Sequence, residues 1–308
     1  MIDAVVLGSA AGGGFPQWNS NAPACRRARR GDPAARPRTQ ASLAVSANRR
    51  DWFLLNASPD LRAQIGATAC LHPGDGLRSS PIAGAVLTGA DVDAIAGLLH
   101  LRERHRFIVY APRPVLDAIA ANPIFGVLSP DCVSRVELPL DHAMSLAGPT
   151  GGSGLAVRAF TVPGKIPLYL ETAGQDPGTS EAGDAVGLEI IDEAGGDSLF
   201  FIPGCAAMTD ALRRRLDGAS VVFFDGTLWR DDEMIRAGVG EKTGRRMGHI
   251  SMSGAAGAIA AFRGLGVRRR VFIHINNSNP VLLDDSAERR EAEAAGWEIA
   301  YDGMELRL

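Results

Sequence analysis

The sequence is poor in residues that staple or target a chain. Four cysteines, Cys25, Cys70, Cys132 and Cys205, are scattered through 308 residues without a close pair. That pattern excludes a disulfide framework and points to a reducing compartment. The start, Met1-Ile2-Asp3-Ala4-Val5-Val6-Leu7-Gly8, has no basic stretch followed by an apolar core, so no signal peptide is expected. No apolar run reaches the length of a membrane span. Charge of one sign is also lacking: the net charge of −3 gives no global pull toward nucleic acid or an anionic membrane. The local clusters Arg26-Arg27-Ala28-Arg29-Arg30 and Arg268-Arg269-Arg270 read as solvated faces. These absences imply a cytoplasmic protein with no nucleic-acid or membrane partner.

What is present is enough apolar side chain, 46% of residues, for a substantial core. The length fits one domain over residues 1–308. Val5-Val6-Leu7 reads as a strand entering a glycine loop, Gly8 to Gly14, that lacks dinucleotide-loop spacing. Arg26 to Pro37 reads as a loop. Residues 41–46 and 52–56 read as a hairpin, and residues 84–88 as a buried strand leading to a helix over about Ala94 to Glu103. A strand at 107–110 precedes a helix around Pro114 to Ala121, and residues 133–192 are strand-rich around a polar excursion, Ala173 to Gly183. The second half repeats the rhythm: strands at 198–202, 220–224 and 271–275, helices at about Thr209 to Leu216 and Ser253 to Leu265, and a last strand near Trp297 to Tyr301. Alternating strands and helices in two halves predict α/β layering with polar groups gathered at one rim.

Three strand ends carry polar residues straight after apolar runs: Asp91 and Asp93, then Asp225, then His274. Strand ends are rigid, so groups from distant parts of the chain can converge there, and carboxylate oxygens with an imidazole suit a divalent metal. The plain alternatives are helix capping for Asp91 and Asp93, a satisfied core histidine for His274 and turn organisation for Asp225. His249, in Met247-Gly248-His249-Ile250-Ser251, stands just ahead of a helix, where a loop histidine is the plain reading. Cys205 follows Pro203-Gly204 and reads as a buried inert thiol. Lys242, Arg245 and Arg246 are candidates for gripping substrate carboxylates.

The order of these features resembles the metallo-β-lactamase superfamily, specifically its nuclease-like branch, whose fold is an αββα four-layer sandwich. Leu87-Thr88-Gly89-Ala90-Asp91-Val92-Asp93-Ala94-Ile95-Ala96-Gly97-Leu98 resembles the hallmark L-T-H-x-H-x-D-H-x-x-G-L. Glycine, aspartate and alanine replace its three histidines at Gly89, Asp91 and Ala94. Val162-Pro163-Gly164-Lys165 resembles a P-G-H element, with Lys165 for histidine. Pro203-Gly204-Cys205 resembles the bridging-aspartate position with a thiol instead, and His274 matches the last metal histidine.

One family is similar from Leu7 to Leu308. Phe15-Pro16-Gln17-Trp18-Asn19, Phe224-Asp225-Gly226-Thr227-Leu228-Trp229, the run Gly240 to His249, and Phe272-Ile273-His274-Ile275-Asn276-Asn277 resemble the coenzyme PQQ synthesis protein B family. The chain departs from it at Ser20 and Ala22, where many members carry thiolates that bind a structural zinc together with Cys25. No closed zinc site is expected there.

The resemblance implies a role in making pyrroloquinoline quinone (PQQ) from a glutamate and a tyrosine cut from a precursor peptide. It also implies partners among other PQQ biosynthesis proteins, and a homodimer is compatible with it. Three functions follow. An iron(II) and oxygen-dependent hydroxylase of the tyrosine ring in a Glu-Tyr intermediate would bind its metal at Asp91, Asp93 and His274, with zinc or another divalent ion as an alternative, and with His249 and Asp225 assisting proton transfer. A carrier would bind PQQ or its precursor without turnover. A dinuclear zinc hydrolase would need the histidines that Gly89, Ala94 and Lys165 have replaced.

Overall fold

Leu54 and Leu55 are neighbours in sequence, as are Phe223 and Phe224, and all four are fully buried. Successive strand side chains point to opposite faces, so both strands must be covered on both sides. The computed structural model, which describes residues 1–74, 76–148, 151–171 and 182–308, meets that demand with four layers. The excursion expected over residues 173–183 lies outside the described residues except for its last two positions.

The strands are β1 (Asp3–Gly8), β2 (Ser42–Ser46), β3 (Trp52–Leu55), β4 (Ile82–Val86), β5 (Phe107–Ala111), β6 (Val133–Glu137), β7 (Ala143–Gly148), β8 (Gly151–Thr161), β9 (Val186–Asp192), β10 (Ser198–Ile202), β11 (Val221–Asp225), β12 (Arg269–Ile273), β13 (Glu298–Ile299) and β14 (Glu305–Arg307). They form two mixed seven-stranded sheets, ordered β14-β1-β2-β3-β4-β5-β6 and β13-β12-β11-β10-β9-β8-β7. Phe53 and Leu55 of the first sheet meet Phe201 and Phe223 of the second in a central apolar layer. Leu54 and Val109 face outward under the helix Arg113–Ala121, through Val115 and Ile119. Phe224 and Phe272 face outward under Phe262 and Trp297, with the Phe272 and Trp297 rings stacked 3.7 Å apart. Each such ring contributes about 1.5–3 kcal/mol through burial.

Several elements differ from the sequence expectation. The helix expected over Ala94 to Glu103 is a single α turn, Val92–Ile95, followed by a 3₁₀ run, Ala96–Leu101. Gly97 explains the tightening. Its amide donates to Ala57 O, and a Cβ there would sit 2.1 Å from Ser58 O. The helix expected over Ser253 to Leu265 shrinks to Ala258–Ala261, and a Cβ at Gly257, just before it, would lie 2.1 Å from Ser253 O. The loop expected from Arg26 begins inside a helix, Pro23–Arg29, which proline opens and arginines close. A final strand, β14, follows the one expected near Trp297. Among the described residues, no helix is long and apolar enough to cross a membrane.

β3, β4 and β5 run parallel to one another, as do β10, β11 and β12. The loops that leave these strands carry Asn56, Thr88 to Asp93, Cys205, Thr227 and His274. Ligand sites in open α/β sheets form at such carboxyl ends.

Candidate metal and substrate site

Those loops surround a cavity of about 410 Å³. Its charged and imidazole lining consists of Asp91, Asp93, Asp184, Lys165, Lys242, His249 and His274. Asp91 occupies the N-cap position of the turn Val92–Ile95, but its side chain makes no capping hydrogen bond. Capping therefore does not account for it. Asp93 points instead at the second sheet, where its Oδ2 lies 2.9 Å from His274 Nε2. The core-histidine reading of His274 fails for the same reason: the ring lines the cavity and pairs with a carboxylate.

Asp225 ends β11 fully buried and holds the second half of the site together. Its Oδ1 accepts the Thr227 amide at 3.0 Å and the Thr227 hydroxyl at 2.7 Å. Its Oδ2 accepts the Cys205 amide at 2.9 Å and lies 2.8 Å from His249 Nδ1. Thr227 Oγ1 also lies 2.9 Å from His274 Nδ1. The single hydroxyl proton goes to the close, charged acceptor Asp225, so His274 Nδ1–H donates to the hydroxyl oxygen. By the same argument His249 Nδ1–H donates to Asp225. Both imidazoles are thus protonated at Nδ1, which leaves Nε2 as the nitrogen available for ligation or proton exchange. The rings stack with centroids 5.3 Å apart.

Asp225, His249 and His274 bring ligand-type atoms within 4.8 Å of one another. Asp225 is not a ligand on physical grounds, because its four hydrogen bonds occupy both oxygens. It orients the imidazoles, the usual task of a carboxylate behind metal-binding histidines. Asp93 and His274 are the pair a divalent ion would fit. A proton now occupies that place: the Asp93 carboxyl is lowered and the His274 imidazole raised from their ordinary values. Burial is the largest single influence and opposes both charges, but their mutual hydrogen bond and the attraction of the surrounding opposite charges together outweigh it.

The expected ligand set of Asp91, Asp93 and His274 is therefore joined only in part. Asp91 lines the same wall, but among the described residues it forms no ion pair with His274 or Lys165 and accepts no side-chain hydrogen bond. Burial, then the neighbouring charge of Asp93, push its pKa up, while Lys165 and the two histidines pull it down. Of the expected carboxylate-gripping residues, Lys242 lines the cavity and Arg245 and Arg246 do not. The Arg245 amide donates to Asp231 Oδ1 at 2.8 Å, pinning a 3₁₀ turn that leaves both guanidinium groups exposed.

Lys165 enters the cavity in their stead. It passes Gly248, whose φ of 87° favours glycine and where a Cβ would lie 3.1 Å from Lys165 Cγ. Thr227 is a central residue to which sequence reasoning gave no role; the Asp225-Gly226-Thr227 run was its signal. Cys205 is buried, with its thiol pushed up to about 12, chiefly by burial and then by Asp225. Near Cys25, Ser20 Oγ accepts the Ala22 amide, while Cys25 faces Asn277.

A beta-lactamase superfamily domain matches residues 51–275. The chain is 61% identical over 307 residues to coenzyme PQQ synthesis protein B of Gluconacetobacter diazotrophicus, with 99% of each chain covered. Zn(2+)-bound PqqB from Methylobacterium extorquens superposes with a TM-score of 0.95 at 49% identity, covering 99% of this chain and 100% of that one. A diphosphatase of the PhnP family shares the fold alone, with a TM-score of 0.68 at 18% identity, covering 100% of this chain and 98% of that one. With this geometry and these relatives, the chain belongs to the coenzyme PQQ synthesis protein B family of the beta-lactamase superfamily and is a protein of PQQ biosynthesis.

Proposed function

We propose that the chain is a hydroxylase of PQQ biosynthesis that uses iron(II) and dioxygen on the tyrosine ring of a Glu-Tyr intermediate. The observation that carries this reading is the pairing of Asp93 Oδ2 and His274 Nε2 at 2.9 Å in the cavity wall. A carboxylate and an imidazole suit divalent ions from iron(II) to zinc, and a 49% identical relative has been solved with zinc bound. Asp93 and His274 would hold the ion, and Asp91, expected as a third ligand, is left out of the set. So few protein ligands leave positions open for oxygen and substrate. The hydrolase reading is weak because Gly89, Ala94 and Lys165 take the places of three imidazoles.

Bound iron(II) would supply the redox chemistry through which dioxygen reacts with the ring, which zinc lacks. One oxygen atom converts a ring C–H to C–OH. The other leaves as water, using two protons and two electrons from an external reductant. His249, held at Nδ1 by Asp225 and lining the cavity, would exchange a proton through Nε2. Lys242 and Lys165 set positive charge around the space the substrate would fill.

The test is product analysis on a Glu-Tyr substrate with protein purified without oxygen and loaded with iron(II). A gain of one oxygen atom that requires iron, dioxygen and reductant, and is absent with zinc, is the expected result. Iron-loaded protein that yields no such product but binds mature PQQ tightly would replace this reading with the carrier.

A further inference from the structure

The cluster Arg26-Arg27-Ala28-Arg29-Arg30 has no part in the metal or proton-transfer roles, and two of its arginines are spent on the chain itself. Arg27 pairs with Asp32 at 2.6 Å and with Asp285 at 2.7 Å. Arg29, the last residue of the helix Pro23–Arg29, reaches back over the irregular segment that precedes the helix. Its Nη1 donates to Ser20 O at 2.6 Å, and its Nη2 donates to Gln17 O and, at 3.4 Å, to Trp18 O. Three carbonyls from one short stretch thus converge on a single guanidinium. A planar fork of donors suits that task, and a compact ammonium does not.

The structural zinc that the family resemblance implies for this segment does not fit the residues present. A closed zinc site takes four ligands, chiefly thiolates and imidazoles. Ala22 offers no side-chain donor, and the Ser20 hydroxyl accepts the Ala22 amide at 3.3 Å. Cys25 is fully buried, and its thiol donates to Asn277 Oδ1 at 3.7 Å. One thiol stands where a metal needs several ligands.

The closed segment bears on the loop that follows His274. Gln17, whose carbonyl Arg29 holds, turns its side chain to that loop, and its Oε1 accepts Asn277 Nδ2. The stem of Gln17 lies against Gly13, where a Cβ would sit 3.1 Å from Gln17 Cγ. Asn277 Nδ2 also donates to Asn276 Oδ1 at 3.2 Å, and Asn276 lines the cavity. From the other side the loop is fixed by Ser278, which donates to Glu233 Oε1 at 2.5 Å, and by Asn279, which donates to Gly226 O at 3.0 Å.

We propose that the Arg29 guanidinium closes the N-terminal segment in place of a metal, and that through Gln17 it positions Asn277 and Asn276 in the cavity wall. Arg29 is a positioning residue: it does not line the cavity itself. The inference is independent of the reaction carried out there.

Amide hydrogen exchange of the full chain, resolved by peptide mass spectrometry, tests both halves. The Ser20 amide, which donates to Gln17 O, and the Ala22 amide, which donates to Ser20 Oγ, report on the segment. The Asn279 amide, which donates to Asn276 O, reports on the loop. In Arg29→Gln, Ser20 and Ala22 should exchange at least about tenfold faster, as the loss of charge-assisted bonds requires, and Asn279 about threefold faster, as one neutral bond would give. Arg29→Lys should recover only part of the protection. Gln17→Ala should separate the halves, with Asn279 faster and Ser20 and Ala22 still protected. In the wild type, excess EDTA should leave Ser20 and Ala22 unchanged, and Cys25→Ala should lose no zinc. Unaltered exchange at Ser20 and Ala22 in Arg29→Gln, uniform acceleration along the whole chain, protection that EDTA removes, or zinc lost with Cys25 would each overturn the guanidinium closure. An Asn279 amide unmoved in both Arg29→Gln and Gln17→Ala would overturn the link to the cavity wall.

Discussion

At the end of β3 the chain turns left-handed at Asn56, and at the end of β12 it does so at His274, with φ of 61° and 58°. Neither residue is glycine, so each turn costs on the order of 1–3 kcal/mol that the surroundings must hold. The two strand ends line opposite walls of one cavity. In the first wall the device is closed by neutral contacts. Asn56 Nδ2 donates to Thr88 Oγ1 at 2.9 Å and the Thr88 amide returns a bond to Asn56 Oδ1 at 2.9 Å. In the second wall it aims an imidazole whose Nδ1 is anchored through Thr227 to the buried Asp225. The same backbone conformation is structural in one wall and chemical in the other. What separates them is a charged group behind the side chain.

The largest effect should follow from removing the group both walls share. His274→Ala should abolish metal binding at this site, a loss exceeding the roughly 10–100-fold typical of outer-shell changes. Metal content after dialysis reads it, and full retention would undo the metal assignment. Next comes the contrast itself. Asp225→Asn strips charge from four hydrogen bonds at a fully buried position and should destabilise the fold by about 3 kcal/mol, while weakening metal binding about 10–100-fold through misoriented imidazoles. Asn56→Ala should cost about 1–2 kcal/mol and leave metal affinity alone. Denaturant unfolding and metal titration of both variants measure the pair, and equal metal losses would erase the distinction.

Most of the layering was legible because buried strands read as continuous apolar runs and the polar breaks fall at their ends. What escaped was set by contacts remote in sequence. The helix near Gly97 was overestimated because backbone from Ser58 lies within 2.1 Å of where a Cβ would sit. β14 is a three-residue edge strand, too short to carry a pattern. In the site, strand-end position picked out Asp93, Asp225 and His274, which the fold joins through Thr227 and the Asp93–His274 contact, but it could not separate Asp91 from Asp93, of which only Asp93 pairs with His274. Charge alone singled out Arg245 and Arg246. Only the pinned turn decides that they stay in solvent while Lys165, marked in the sequence merely as a missing histidine, enters the cavity. Thr227 was given no role because its histidine partners lie 22 and 47 positions away.

The pair across the two walls also makes a pH prediction. His274 is raised above its ordinary value, so its contribution to metal-free stability is complete below the unfolded imidazole value and is lost as pH rises through the folded one. Asp93 is lowered, so its contribution is present above the unfolded carboxyl value and is lost as pH falls through the folded one. The metal-free wild type should therefore exceed His274→Gln most in the window between those limits, which urea unfolding across pH can check. In that window a bound metal must displace the Nε2 proton, so calorimetry in buffers of different ionisation enthalpy should detect proton release close to one per site. Release near zero would mean that the ion binds elsewhere.

The smallest effect should be at Cys205, and it bears on how far the second wall's chemistry extends. The residue sits at the end of β10, and its amide is one of the four donors to Asp225. Its thiol donates to Ala207 O at 3.2 Å and faces away from any metal role. Burial first, and the Asp225 charge second, push the thiol up to about 12. At neutral pH the thiolate, the form that attacks alkylating reagents or binds metal, is strongly disfavoured. Native protein should therefore resist iodoacetamide at this position while urea-unfolded protein reacts, as peptide mass spectrometry can resolve. Cys205→Ala should keep metal affinity within about twofold and lower stability by about 1 kcal/mol through the small cavity it leaves, because the contact that matters to the site is the backbone amide, which the substitution preserves. A metal loss as large as that of Asp225→Asn would make the thiol a ligand and move the boundary between the two walls.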